Sequence, residues 1–363
     1  MKKILCICNT YYQLILAMQM KKTVYKDAYM TLLLSDHSKN ALQICNRLER
    51  SGFFNEVHFF ETKTIDFSDE LKPFADGRKI KETLMRMKMK SYDELLAYNL
   101  SKTTFFVFHY LCKQNKNIRV HRFEEGVLSY GTPIYKGIPI TNFWYINTPL
   151  YPFLKLAGSF DLIKRLDRFY CCYPKLYTGA LEACQIPPIQ AKSDVAELVT
   201  GVFGVNKEEL HYDEKYIFFT SVYDFEGGAA IKELELVRAV SNVVGKENLL
   251  IKMHPRDTRS VYADEGFHID TNSSIPFEAL LFAFDFRDKV LLTATSGAVL
   301  SASLLLEHPP KAYYMYPLCE LEGNPPAKNT TDQIDGVLRH ESFQSTLDQI
   351  RICNSIDEII CGG

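Results

Sequence analysis

Ile4-Leu5-Cys6-Ile7-Cys8-Asn9-Thr10 is the first patterned stretch of the chain. Five consecutive apolar residues entering an Asn-Thr turn, with a helical pattern over 12–22, read as a buried strand feeding a helix. The run is too short for a signal-peptide core or a membrane span. The same unit recurs. Runs at 29–34, 56–60, 104–108 and 118–123 continue a first series, and runs at 216–220, 249–253, 289–293 and 312–315 form a second. Helical patterns include 40–51, 231–244 and 297–306. Near-continuously apolar strands alternating with helices mean parallel sheets covered on both faces. Two series in two halves predict an α/β chain of two doubly wound, Rossmann-like domains facing across a cleft. The boundary is expected near the proline-containing stretch Gln185-Ile186-Pro187-Pro188-Ile189-Gln190. This gives domains at 1–190 and 191–345, with 346–363 as a C-terminal helix packing back over the hinge.

The chain has 363 residues, which suits two domains. Basic and acidic residues number 42 and 44, a formal net charge of −2, so the broad positive field of a nucleic-acid binder is missing. Any anionic ligand must be held by local chemistry. No stretch of about 18 apolar residues occurs, so no bilayer-spanning helix is expected. Ten cysteines show no Cys-x-x-Cys and no metal-type spacing with His; they read as reduced thiols of a cytoplasmic protein. Tyr (21) and Phe (24) are abundant beside the single Trp144, a balance that suits a large core and is compatible with sugar binding. One segment is skewed in charge. Residues 78–90 carry six basic residues and one acid, with Ile80, Leu84 and Met87 at helical spacing. It reads either as a solvated surface helix or as a helix touching anionic lipid heads or a glycolipid acceptor at the inner face of a membrane.

Ligands of open α/β sheets bind beyond the carboxyl ends of the strands, so the strand exits are where chemistry is expected. The exit at 124 reads Glu124-Glu125-Gly126. Crowding two carboxylates raises a pKa towards that of a base, although such turns are also common on surfaces. The exit at 254 reads His254-Pro255-Arg256, an imidazole and a guanidinium suited to a phosphate. The exit at 293 reads Thr293-Ala294-Thr295-Ser296-Gly297-Ala298 and opens an apolar helix. Hydroxyls and small residues there suit either ordinary capping or an anion site. The exit at 221 reads Ser221-Val222-Tyr223-Asp224-Phe225-Glu226-Gly227-Gly228, in which Asp224 or Glu226 is a base or simply a cap. In Ser273-Ser274-Ile275-Pro276-Phe277-Glu278, the carboxylate of Glu278 opens a helix and suits ribose hydroxyls. Most of these sit in the second half and together describe a nucleotide phosphate site. Glu124 and Glu125 would serve an acceptor from the first half. No Asp-x-Asp stands at a strand exit, so no divalent ion is required and leaving-group charge falls to protein donors.

The set resembles bacterial GT-B sialyltransferases, which share an acidic-acidic-Gly motif, a His-Pro motif and a Ser/Thr-rich phosphate motif. Glu124-Glu125-Gly126, His254-Pro255 and Thr295-Ser296 match these. The order His254-Pro255-Arg256, Ile275-Pro276-Phe277-Glu278, Ser296-Gly297-Ala298, with the opening Asn9-Thr10-Tyr11-Tyr12-Gln13-Leu14, resembles glycosyltransferase family 52. The polysialyltransferases share the motifs. The resemblance implies inverting, metal-independent transfer of sialic acid from CMP-sialic acid to a galactoside hydroxyl of a lipooligosaccharide or capsule glycan, with an α-2,3 linkage expected. It implies no cofactor and a homodimer. His254 would protonate or hydrogen-bond the departing CMP phosphate, and Thr295, Ser296, Gly297 and the following helix would bind it. Glu278 would hold the ribose, with Pro255, Arg256, Ser221 and Glu226 around the nucleotide and Asn9 and Thr10 at the first strand exit. Asp224 is expected as the base ahead of Glu124, against one extra residue before the acid. A polysialyltransferase, a GT-B enzyme for another nucleotide sugar, and a non-catalytic glycan-binding protein on the same scaffold are the competing readings.

Overall fold

The computed structural model describes the chain except residues 68–72, 127, 132–161, 271, 273–274, 346 and 362–363. Trp144, Ser273 and Ser274, singled out in the sequence, therefore lie outside the described residues. Two compact units result. The first is Met1–Glu125 with the described part of Thr132–Pro187; the second is Gly126–Gly131 with Pro188–Gly363.

The first unit is built on a seven-stranded parallel sheet of order β3-β2-β1-β4-β5-β6-β7. Its strands are β1 (Lys3–Cys8), β2 (Tyr29–Ser35), β3 (Glu56–Phe60), β4 (Glu94–Ala97), β5 (Arg119–Phe123), β6 (Leu166–Cys171) and β7 (Glu182–Gln185). The second unit has six parallel strands, β10-β9-β8-β11-β12-β13. These are β8 (Tyr216–Phe219), β9 (Leu249–Lys252), β10 (His268–Ile269), β11 (Val290–Thr293), β12 (Lys311–Tyr314) and β13 (Ile350–Ile352). Both sheets begin 3-2-1-4-5 in their own numbering, the doubly wound order, with a switch point between β1 and β4 and another between β8 and β11. Tyr-Ile-Phe-Phe of β8 and Val-Leu-Leu-Thr of β11 are buried at every residue. Helices on both faces leave such strands no wet side, which is why they read as unbroken apolar runs.

Two expected elements differ. Residues 104–108 are not a strand but lie inside the helix Lys102–Cys112, started by the Ser101 hydroxyl, which accepts the Thr104 amide at 3.2 Å. Thr-Thr-Phe-Phe-Val-Phe is buried on every side within the first core, so neither the two-residue nor the 3.6-residue period shows. At the C-terminus, the single helix expected over 346–363 is not formed among the described residues. Glu341–Gln344 and Glu358–Cys361 are single turns, and between them β13 adds an edge strand to the second sheet.

At the amino end of the first sheet Glu94 is nearly fully buried. Its Oε1 accepts from Lys2 Nζ at 2.8 Å and Arg119 Nη2 at 3.2 Å, and His121 Nε2 lies 3.5 Å from Oε2. Burial pushes this carboxyl up, but the His121 and Lys2 contacts win and hold it at about 2. A carboxylate depressed in the folded state adds stability above its ordinary 4.5 and loses it as pH falls towards 2. Glu94→Gln is expected to cost roughly 2 kcal/mol at pH 7, with the deficit shrinking below pH 4.5. Urea unfolding across pH measures it; a deficit constant down to pH 3 would show that the charge is not what matters.

Candidate functional site

At the switch point of the second sheet a cavity of about 520 Å³ opens beyond the strand ends. Each strand exit supplies part of its wall: Ser221 after β8, His254-Pro255-Arg256 after β9, and Thr295-Ser296-Gly297 after β11. Glu278 joins them from the short helix Phe277–Leu280. Eight expected site residues thus share one cavity. Thr220, Tyr223, Lys252 and Thr330 also line it and escaped the sequence reading. Lys252 had a signal, since a lysine ending the buried run Leu249-Leu250-Ile251 needs a partner. It finds Asp270, whose carboxylate also accepts the Tyr212 hydroxyl at 2.9 Å. Thr330 had none, because it arrives from a distant helix, Pro325–Leu338, and bonds the Tyr223 hydroxyl at 2.8 Å.

The His254 loop is set by short hydrogen bonds. The buried Thr220 hydroxyl accepts the His254 amide at 2.9 Å, and His254 Nδ1 accepts the Arg256 amide at 3.1 Å. With Nδ1 accepting, the neutral ring carries its proton on Nε2 and is a donor there. Arg256 pairs with Glu226 at 2.8 Å, both partners being well exposed. Such a pair is worth about 0–1 kcal/mol, so an arriving phosphate can take the guanidinium.

The β11 exit is arranged differently from the simple anion-binding helix end expected. Thr293 Oγ1 accepts the amides of Thr295 at 3.2 Å and Ser296 at 2.8 Å, so those two N–H groups are engaged within the protein. The Tyr314 hydroxyl pins the Ser296 carbonyl at 2.7 Å. What the exit offers instead is the Thr295 hydroxyl. Thr295 and Ser221 are each only 4 % exposed, and their hydroxyl oxygens have no hydrogen-bond partner among the described residues. Two buried, unsatisfied hydroxyls on either side of a switch point are costly unless a ligand completes them. A Cβ added at Gly297 would meet nothing within 4 Å, so this residue leaves room for close approach. Burial pushes the Glu278 carboxyl above its ordinary range, opposed by its own amide, the Ser301 hydroxyl and the charge of Lys252.

Asp224, expected as the base, is committed elsewhere. It does not line the cavity. Its Oδ1 accepts the Ile231 amide at 2.8 Å and its Oδ2 the Glu233 amide at 3.0 Å, capping the helix Glu233–Val244. Glu226 also stays outside the lining, paired with Arg256. Behind them Glu233 is fully buried. Both its oxygens accept the Ser221 amide, at 3.1 and 2.9 Å, and burial pushes its carboxyl up to about 8.

The remaining expected residues belong to the first unit. Thr10 caps the helix Tyr11–Lys22 in a reciprocal box with Gln13, and the Gln13 carbonyl also accepts the Asn9 amide at 2.7 Å. Glu124 is fully buried, with the Tyr12 hydroxyl on Oε1 and the Cys172 amide 2.9 Å from Oε2. Glu125 differs from it. Although the residue is exposed at the surface, the protein packed around it pushes its carboxyl up to about 7, against the opposing influence of Gln13 and Arg122. Gly126 follows at φ +105°, a backbone region that an L side chain rarely adopts. Among the described residues no group of three or more His, Cys, Asp or Glu is placed to hold a metal ion, and no helix is long and apolar enough to cross a membrane.

Two parallel sheets of doubly wound order, with a nucleotide-sized cavity at a switch point, are the architecture of GT-B glycosyltransferases. Two solved structures share the fold. The sialyltransferase from Photobacterium damsela matches at 13 % identity over 97 % of this chain and 81 % of its own, with a TM-score of 0.52. CalG4, the calicheamicin glycosyltransferase, matches at 12 % identity over 99 % of this chain and 94 % of its own, with a TM-score of 0.51. The family described as Alpha-2,8-polysialyltransferase (POLYST) matches residues 4–314, and the chain belongs to that family. Among curated protein sequences none matches. The resemblance to sialyltransferases read from the motifs is therefore borne out, and the chain is a glycosyltransferase of sialyltransferase family and fold.

Capping and base roles for Asp224 separate cleanly. Asp224→Ala is expected to lower unfolding stability by about 1–2 kcal/mol, the cost of losing a helix cap, with a lowered urea midpoint. Asp224→Asn, which keeps a capping oxygen, should retain most of the turnover; loss of turnover in Asp224→Asn at full stability would restore the base role.

Proposed function

We propose that the chain transfers sialic acid from CMP-sialic acid to a hydroxyl of a glycan acceptor, with the CMP moiety in the second unit's cavity. The observation that carries this reading is the pair of buried, unpartnered hydroxyls of Ser221 and Thr295 beside His254. They are neutral donors suited to one phosphate. Thr295, Ser296 and Gly297 hold it, and His254 donates from Nε2 to the oxygen that gains charge as the sugar leaves. Arg256 exchanges Glu226 for the phosphate, Pro255 keeps the His254 loop extended, and Glu278 takes the ribose hydroxyls. These donors neutralise the leaving group in place of a metal ion, so transfer is metal-independent. The base is Glu125, because an acid held near 7 is half-ionised at working pH, whereas both oxygens of Glu124 are occupied. A single displacement at the anomeric carbon inverts its configuration.

For the acceptor, a galactoside of a lipooligosaccharide or capsule glycan receiving an α-2,3 bond is the first reading. The family match favours a second, α-2,8 addition to a terminal sialic acid. A transfer assay over lactose and sialyllactose, with linkage read by NMR, separates them.

In a thermal-shift comparison CMP should stabilise the protein more than UDP, GDP or ADP; stabilisation by UDP alone sinks the CMP reading. His254→Ala should cut kcat by about 10²–10⁴ with folding intact. Activity of the wild type should rise with pH through about 7 as Glu125 ionises. Glu125→Gln should lose about 10²–10⁴ in kcat and flatten that limb. An unchanged pH limb in Glu125→Gln would assign the base to another group.

A further inference from the structure

The basic segment of the first unit, left unused by sugar transfer, lies beside a second cavity. We propose that this cavity, between the helices Pro73–Arg86 and Lys102–Cys112, binds one acyl chain of an anionic membrane phospholipid, with the lipid phosphate on Lys81 and Lys113. The cavity measures about 480 Å³. Phe74, Phe105, Phe106 and Tyr110 supply its apolar wall, and Lys81 and Lys113 its basic rim. Among the described residues no acidic one lines it. Gly77 keeps the two helices close, because a Cβ there would stand 3.0 Å from the Phe106 ring.

Three features point to a membrane lipid. Lys81 and Lys113 are exposed and have no ion pair among the described residues, so their charge is available. Phe74, Arg78, Lys81 and Met85 follow one another at helical spacing and are all exposed, while Ile80 and Leu84 of the same helix are buried in the core. The outward stripe is thus apolar at both ends and basic between them, as in helices that lie in a bilayer interface. Phe74 is 74 % exposed and Met85 56 %, large apolar groups whose cover is more readily supplied by lipid than by water. A soluble phosphate would need only the rim. The aromatic wall beneath it adds a place for a chain, and the combination selects an amphiphile with an anionic head.

The full-length protein should co-float with vesicles of phosphatidylcholine mixed with phosphatidylglycerol, and not with phosphatidylcholine alone. Lys81→Glu with Lys113→Glu should reduce flotation at least ten-fold while leaving the CMP-induced thermal shift unchanged. With a reporter at the cavity (Phe74→Trp), phosphatidylglycerol brominated on its acyl chains should quench fluorescence beyond the background of Trp144. Equal flotation on neutral vesicles, or undiminished flotation of the double variant, overturns the proposal. Flotation without added quenching also overturns it, leaving only a charged surface. Protection of the double-lysine rim by inorganic phosphate as strong as that by the lipid would make it a plain phosphate site and overturn the lipid.

Discussion

A carboxylate with no access to water, Glu233, fixes the exit of β8 by receiving the Ser221 amide on both oxygens. Burying an acid this way is expensive and is tolerated only where hydrogen bonds to the protein replace those to water. The return is geometric. Ser221 cannot swing away from the switch point, and its hydroxyl is held in the cavity wall. On the other flank Thr293 does the same for the β11 exit, bonding the Phe219 carbonyl on one side and the Thr295 and Ser296 amides on the other. The two exits are therefore cross-braced through β8.

This bracing holds uncharged donors in the cavity wall of a chain of net charge −2. Its nearby cations are already matched: Lys252 by Asp270, Arg256 by Glu226. Beside them stand the two hydroxyls of Ser221 and Thr295, unpartnered among the described residues.

Much of this was legible in the sequence. Buried parallel strands leave no alternation, so β1, β2, β8, β9, β11 and β12 showed as largely apolar runs, whereas β3 and β5 are more mixed, with His58 in one and Arg119, His121 and Arg122 in the other. The same property hid the helix Lys102–Cys112, whose buried phenylalanines look equally strand-like. β4, β7, β10 and β13 were missed because two to four residues carry no period, and β6 because Leu-Asp-Arg-Phe-Tyr-Cys mixes charged and apolar residues without alternation. For the site, residue type at strand exits found Ser221, His254, Arg256, Glu278 and the Thr295–Gly297 run. It did not show that Asp224 receives the Ile231 and Glu233 amides, a tie made over seven and nine residues. Thr330 and Asn324 lie about a hundred residues from what they brace, a separation no local pattern bridges.

The segment from Tyr223 to Ile231 is tied at its base twice. Asp224 closes it onto the Ile231 and Glu233 amides, and the Asn324 amide nitrogen bonds the carbonyls of both Tyr223 and Ala229 at 3.0 Å. It is a closed ring with its knot on the protein and its tip, Phe225 to Gly227, outside it. Residues added or lost at that tip leave the knot, and hence Ser221, where they are.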